Sequence, residues 1–178
     1  MRRIAIGLMV CGFALAILGG SAGVVSWTGQ AEAQARWEQV KPAQAPADTL
    51  TRLSFPGQEK EFIVRDGGSR ANLLLGPARM EWSSVPGQPG NSIIAGHRDT
   101  HFRMLKDLKR GDVIAVERGA KKFWYRIVDF EIVRASDNTY YRPTAAPMLT
   151  LVTCYPFYYV GPAPKRYIVR AEMLEKSS

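Results

Sequence analysis

The hydrophobic pattern divides the chain into two unlike parts. From Ile4 to Val25 the run IAIGLMVCGFALAILGGSAGVV carries no charged residue. At about 1.5 Å per residue, a helix of this length reaches about 33 Å, enough to cross a bilayer core. From residue 49 onward the apolar positions come instead in short runs, many of them alternating, punctuated by Gly and Pro. Leu50–Phe55 and Glu61–Arg65 flank Pro56-Gly57-Gln58 and predict a hairpin. Ser92–Gly96 (SIIAG) is a short strand apolar on both faces, and it follows a turn-rich loop, Ser83–Asn91. Val113–Arg118 and Lys122–Arg134 are strands split by Gly119-Ala120, the second alternating Phe123, Tyr125 and Ile127 with Trp124, Arg126 and Val128. Met148–Thr153 and Tyr167–Met173 are the last two strands, joined by an aromatic, Pro-rich loop. The period turns helical at Thr100–Leu108, where Phe102, Leu105 and Leu108 stand three apart before Gly111-Asp112.

Short strands with little helix predict an all-β domain, an antiparallel barrel or a sandwich, and pattern alone leaves both open. The chain divides into residues 1–27, a cytoplasmic stub with a transmembrane signal-anchor; residues 28–48, a membrane-proximal segment; and residues 49–178, the globular domain. Within the middle segment Thr28–Val40 has helix-forming composition, whereas Lys41–Asp48 (KPAQAPAD) is a Pro/Ala linker that cannot continue a helix.

Arg2 and Arg3 precede the apolar run and Trp27 follows it, so positive-inside bias places the globular domain on the extracytoplasmic side. The rival is a cleaved signal peptide, with Ala31-Glu32-Ala33 as its cleavage pattern. That pattern lies well beyond the apolar run, which is itself longer than an ordinary signal-peptide core. Both readings export the domain. They also separate the chain's two cysteines, Cys11 in the apolar run and Cys154 in the domain, so Cys154 is expected to be an unpaired thiol. The net charge is +8, with 24 basic and 16 acidic residues. The excess is scattered, apart from Lys106, Lys109 and Arg110 with Lys121 and Lys122, and no nucleic-acid-binding signature accompanies it. An anionic membrane or envelope polymer suits such a surface better than nucleic acid. The acidic residues are dispersed, so neither a metal nor a cofactor is expected.

Three residues stand at strand ends with complementary chemistry: His97 after SIIAG, Cys154 in TLVTCYPF, and Arg166 in KRYIVRAE. A thiol attacks a carbonyl as thiolate, an imidazole can take its proton and later protonate a leaving amine, and a guanidinium can stabilise the oxyanion. Taken singly, each has an ordinary reading. Cys154 can be a small buried hydrophobe, His97 part of a polar turn with Arg98 and Asp99, and Arg166 a surface charge beside Lys165 and Arg170.

The motifs themselves resemble a known family. TLVTC is similar to the Thr-Leu-x-Thr-Cys pattern of the sortases, membrane-anchored cysteine transpeptidases of bacterial surfaces. AGHRDT resembles their histidine motif, and KRYIVRAE their final strand, in the family's order over about Leu50–Leu174. The resemblance implies a closed eight-stranded β-barrel with one or two short helices. It assigns Cys154 as nucleophile, His97 as general acid/base and Arg166 as stabiliser of oxyanion or substrate. It also implies a protein substrate with an LPXTG-like C-terminal sorting signal, cleaved between Thr and Gly, and an amine acceptor. Thr153 matches a position that often contacts substrate, and Tyr155, Phe157, Tyr158 and Tyr159 are expected to shape an apolar pocket rim. His101 lies outside the Gly96-His97 pair and is a candidate only for tuning the site. The region around AGHRDTHF looks closest to class D-like sortases or those of Gram-negative bacteria. Two alternatives remain: a non-catalytic envelope-binding barrel that buries Cys154, and an L,D-transpeptidase, whose cysteine normally sits in a Ser-His-Gly-Cys context rather than after Val152-Thr153.

Overall fold

The alternating residues fall on the two faces of one closed sheet. The structure, a computed structural model, describes residues 24–39 and 50–174. Its strands are β1 (Thr51–Phe55), β2 (Lys60–Asp66), β3 (Ala78–Arg79), β4 (Asn91–Ala95), β5 (Val113–Arg118), β6 (Lys121–Arg134), β7 (Met148–Tyr155) and β8 (Lys165–Met173). They close into a barrel in the order β1-β2-β3-β4-β7-β8-β6-β5. The barrel is not wholly antiparallel: β2 with β3, and β4 with β7, run parallel. Parallel neighbours require a long crossover, and for β4 and β7 that crossover is the β5–β6 hairpin.

Parity along the strands builds two cores. Leu53, Phe55, Ile94, Tyr125, Leu151 and Val169 point inward and form the barrel interior with their neighbours. Ile93, Val152 and Ile168, one residue out of phase, point outward and pack with Tyr140 into a smaller core on the outer face. This explains why SIIA and LTLV are apolar without alternating: β4 and β7 are covered on both sides. Tyr125 is fully buried, and its hydroxyl accepts the Gly87 N–H at 2.8 Å.

Among the described residues two α-helices lie outside the barrel. Helix α1 covers residues 24–39. Helix α2 (Arg70–Leu75) starts at Ser69, whose hydroxyl accepts the Asn72 N–H at 3.1 Å. The helical period at Thr100–Leu108 corresponds to a 3-10 turn, His101–Asp107, that buries His101, Phe102 and Leu105. The expected membrane span Ile4–Val25 lies outside the described residues except for Val24 and Val25, as does the linker Lys41–Asp48. Among the described residues no helix is long and apolar enough to cross a membrane. Helix α1 begins inside the expected 1–27 segment, and its Ser26 is buried against the barrel.

Candidate active site

Three neighbouring strands bring the chemistry-bearing residues into one row. β7 and β8 are antiparallel, and their register sets Cys154 directly opposite Arg166. β4 and β7 are parallel, with Ala95 opposite Val152. The pairing continues beyond the end of β4, where the Gly96 N–H donates to the Val152 carbonyl at 3.0 Å and the Thr153 hydroxyl donates to the Gly96 carbonyl at 2.7 Å. Carried to the next residue, this register puts His97 beside Cys154. Residues opposite one another share a face of the sheet. Ala95, Val152 and Ile168 belong to the outer core, and His97, Cys154 and Arg166 follow each of them by two residues or precede by two. The row therefore lies on the outer face, at the end of an apolar strip.

The exposure of the three differs. Cys154 is a free, half-buried thiol, and His97 is exposed. Arg166 is half-buried, its Nη1 donating to the carbonyls of Ala163 at 3.3 Å and Lys165 at 3.0 Å, which holds the guanidinium at the start of β8. The apolar strip below them is walled by Tyr140 and Tyr141. Asn91 secures that wall, donating from Nδ2 to the Tyr140 carbonyl at 2.9 Å while its Oδ1 accepts the buried Thr150 hydroxyl at 2.7 Å.

The residues expected to meet substrate separate into three situations. Thr153 is 2 % exposed and faces away from the row, its hydroxyl spent on Gly96. Tyr155 also points to the inner side, stacked on Tyr167 at 6.2 Å between ring centres and edge-on to Phe157 at 5.9 Å. Tyr158 and Tyr159 are exposed on the β7–β8 loop, each under an arginine from the His97 side. Arg98 donates to the carbonyls of Tyr159 at 2.7 Å and Gly161 at 3.1 Å. Arg103 lies 5.1 Å from the centre of the Tyr158 ring and reaches its hydroxyl at 3.3 Å; that bond and the guanidinium charge pull the phenol below its ordinary value. Sequence reading passed over both arginines, because an arginine in a polar turn gives no signal of a partner some 60 residues on.

His101 is held in a different way. Its Nε2 shares a hydrogen bond of 2.8 Å with Ser26 Oγ of helix α1, and its Nδ1 one of 3.2 Å with Thr100 Oγ1. Burial, with a smaller contribution from His97, pushes its pKa down to about 4 against the opposing pull of Asp99. Among the described residues no group of three or more His, Cys, Asp or Glu side chains could hold a metal ion. Two shallow clefts of about 370 Å³ are lined by none of the three, one along β1 and β5, across the barrel from β7, around Arg52 and Trp124, the other around Phe62 and Arg103.

A family model for the sortase domain matches residues 53–174. The chain belongs to the sortase family. Sortase D of Bacillus subtilis (strain 168) is 33 % identical over 150 residues, covering 84 % of this chain and 73 % of that protein. The catalytic domain of B. anthracis SrtD is 34 % identical with a TM-score of 0.62, over 74 % of this chain and 93 % of that one. A Clostridium perfringens sortase D5 transpeptidase superposes with a TM-score of 0.68 over 85 % of this chain and 99 % of that one; at 22 % identity this likeness speaks for the fold. This sortase is thus a cysteine transpeptidase of class D-like affinity, on an eight-stranded barrel.

Proposed function

We propose that this sortase cleaves an LPXTG-like sorting signal between Thr and Gly and passes the acyl group to an amine, with Cys154 as nucleophile. The observation that carries the reading is the single row of His97, Cys154 and Arg166 across β4, β7 and β8, at the end of an apolar strip. The Cys154 thiolate attacks the threonine carbonyl carbon, and the carbonyl electrons move onto oxygen, where the Arg166 guanidinium offers charge and donors. Collapse of this intermediate breaks the C–N bond. His97, as imidazolium, gives its proton to the departing glycine amine. The thioester on Cys154 is then attacked by an acceptor amine, which loses a proton to His97 as the thiolate leaves. The charge-free run Ile4–Val25 anchors the enzyme, with Arg2 and Arg3 in the cytoplasm and the barrel outside it, facing its protein substrates.

The test uses the full chain in detergent with a panel of Leu-Pro-x-Thr-Gly peptides, read by intact mass, with Cys154→Ala beside it. An acyl adduct on the parent alone, released by hydroxylamine, is the expected result and fixes the cleaved bond. Peptide cleavage that persists in Cys154→Ala would sink the reading.

A further inference from the structure

Helix α1 is fastened to the barrel along one face. Ser26, Gly29 and Ala33 are buried and Gln30 and Trp37 half-buried, the spacing of a single helical stripe. The small side chains let the helix come close. A Cβ on Gly29 would stand 2.7 Å from Leu75 Cδ2.

What the helix reaches is an open strand edge. β2 pairs with β1 along Lys60–Val64, but with β3 only at Arg65 and Asp66. At Ile63 the side facing β3 has no strand partner, and a buried backbone amide without one is costly. The Gln30 carboxamide takes the missing place. Its Oε1 accepts the Ile63 N–H at 2.9 Å, and its Nε2 donates to the Ile63 carbonyl at 3.1 Å and to the Leu75 carbonyl, the end of α2, at 3.1 Å. Gly76 makes room for this. Its φ of 178° is extended backbone open to any residue, yet a Cβ there would sit 2.1 Å from Gln30 Nε2. Space, not conformation, asks for glycine.

The same helix reaches toward the catalytic row. Ser26 and His101, 5 % and 6 % exposed, are hydrogen-bonded to each other. The next residue, Phe102, donates its N–H to the His97 carbonyl at 3.0 Å, and its ring closes over Gly96. A continuous path therefore runs from helix α1 through Ser26, His101 and Phe102 to the backbone of His97.

We infer that helix α1 is a working part of the catalytic domain, in which Gln30 locks the helix onto the β2 edge and Ser26, through His101, sets the position of His97 against Cys154. Ser26, Gln30 and His101 are positioning residues and touch no substrate. The inference rests on the reading of His97 and Cys154 as the reacting pair. It also moves the functional boundary of the domain: a chain started in the Pro/Ala linker lacks the group that closes β2.

The test compares the full chain with Ser26→Ala and with Gln30→Glu, an isosteric change that cannot donate to the two carbonyls. kcat and KM with a Leu-Pro-x-Thr-Gly peptide are measured for each at neutral pH, together with backbone hydrogen exchange and with His97→Ala beside them. Both variants, still folded by their melting curves, are expected to lose about ten- to a hundredfold in kcat, with KM within about twofold of the parent's. Exchange is expected to quicken at Phe102 in Ser26→Ala and along β2 in Gln30→Glu. A kcat close to the parent's in both variants, while exchange shows the helix released, would overturn the positioning role alone. Turnover that persists at the parent's rate in His97→Ala would overturn the pairing itself, and the positioning with it.

Discussion

Replacing Thr153 with valine keeps the branched shape of the side chain and removes only its hydroxyl. That hydroxyl donates to the Gly96 carbonyl at 2.7 Å from a residue 2 % exposed, on the inner side of β7. Valine offers no donor, so a covered carbonyl loses its partner at the residue before His97. Leaving such a group unsatisfied costs about 1–3 kcal/mol. For a chain of this size about 2 kcal/mol corresponds to a Tm lower by about 4–8 °C. The link between β7 and the His97 segment loosens at the same time, so kcat should fall while KM for a sorting-signal peptide stays close to the parent's. Thr153→Ser keeps the donor and loses one buried methyl, worth about 1 kcal/mol, and should hold most of kcat. Thermal melts and steady-state peptide turnover on the three proteins decide the matter. A valine variant that melts with the parent and differs only in a raised KM would refute this reasoning and give the hydroxyl to the substrate.

Two further outcomes follow from the same region. His101 titrates at about 4 instead of its ordinary 6.5, chiefly through burial, with Ser26, Thr100, the Phe62 ring, His97 and Asp99 around it. Between those pH values the unfolded chain binds a proton that the native one refuses, so His101's contribution is complete above about pH 6.5 and is lost as pH falls toward 4; the ceiling of about 3 kcal/mol shrinks to about 1–2 with solvent screening. Melting curves across this range should flatten in His101→Asn, and an unchanged slope would contradict the assignment. Arg98→Ala should release the β7–β8 loop with a Tm change of under about 2 °C, because its bonds to Tyr159 and Gly161 are solvent-exposed. Relative kcat/KM across a peptide panel should shift several-fold, and an unaltered ranking would remove the loop from specificity.

The strands were legible because period-two alternation survives wherever one face is solvated, as in β6, where Tyr125 and Ile127 are buried and Trp124 and Arg126 exposed. The parallel pairing of β4 with β7 was not, since nothing local distinguishes a doubly covered strand in a parallel pair from one in an antiparallel pair. α2 and β3 were missed for lack of length: six residues and two residues carry no period. In the site, His97, Cys154 and Arg166 could be named because their residue types and flanking motifs are rare together. The tyrosines could not be sorted by composition. Tyr155 and Tyr158 lie three residues apart, but a strand turns one ring inward while the loop leaves the other outside under Arg103. The roles of Ser26 and Gln30 were equally invisible, because each is decided by an open backbone edge or a buried imidazole elsewhere in the chain.

The parallel pairing of β4 and β7 also governs when the chemistry can begin. Their contact joins segments far apart in the chain, with the β5–β6 hairpin between them, so the entropy of closing that loop must be overcome before His97 and Cys154 can meet. A fragment ending before β7 holds only His97 of the row, and β7 without β4 holds a thiol with no imidazole beside it. Under the proposed mechanism reactivity is therefore tied to completion of the barrel: Cys154 gains His97 as a neighbour only in a molecule whose β4 and β7 have paired.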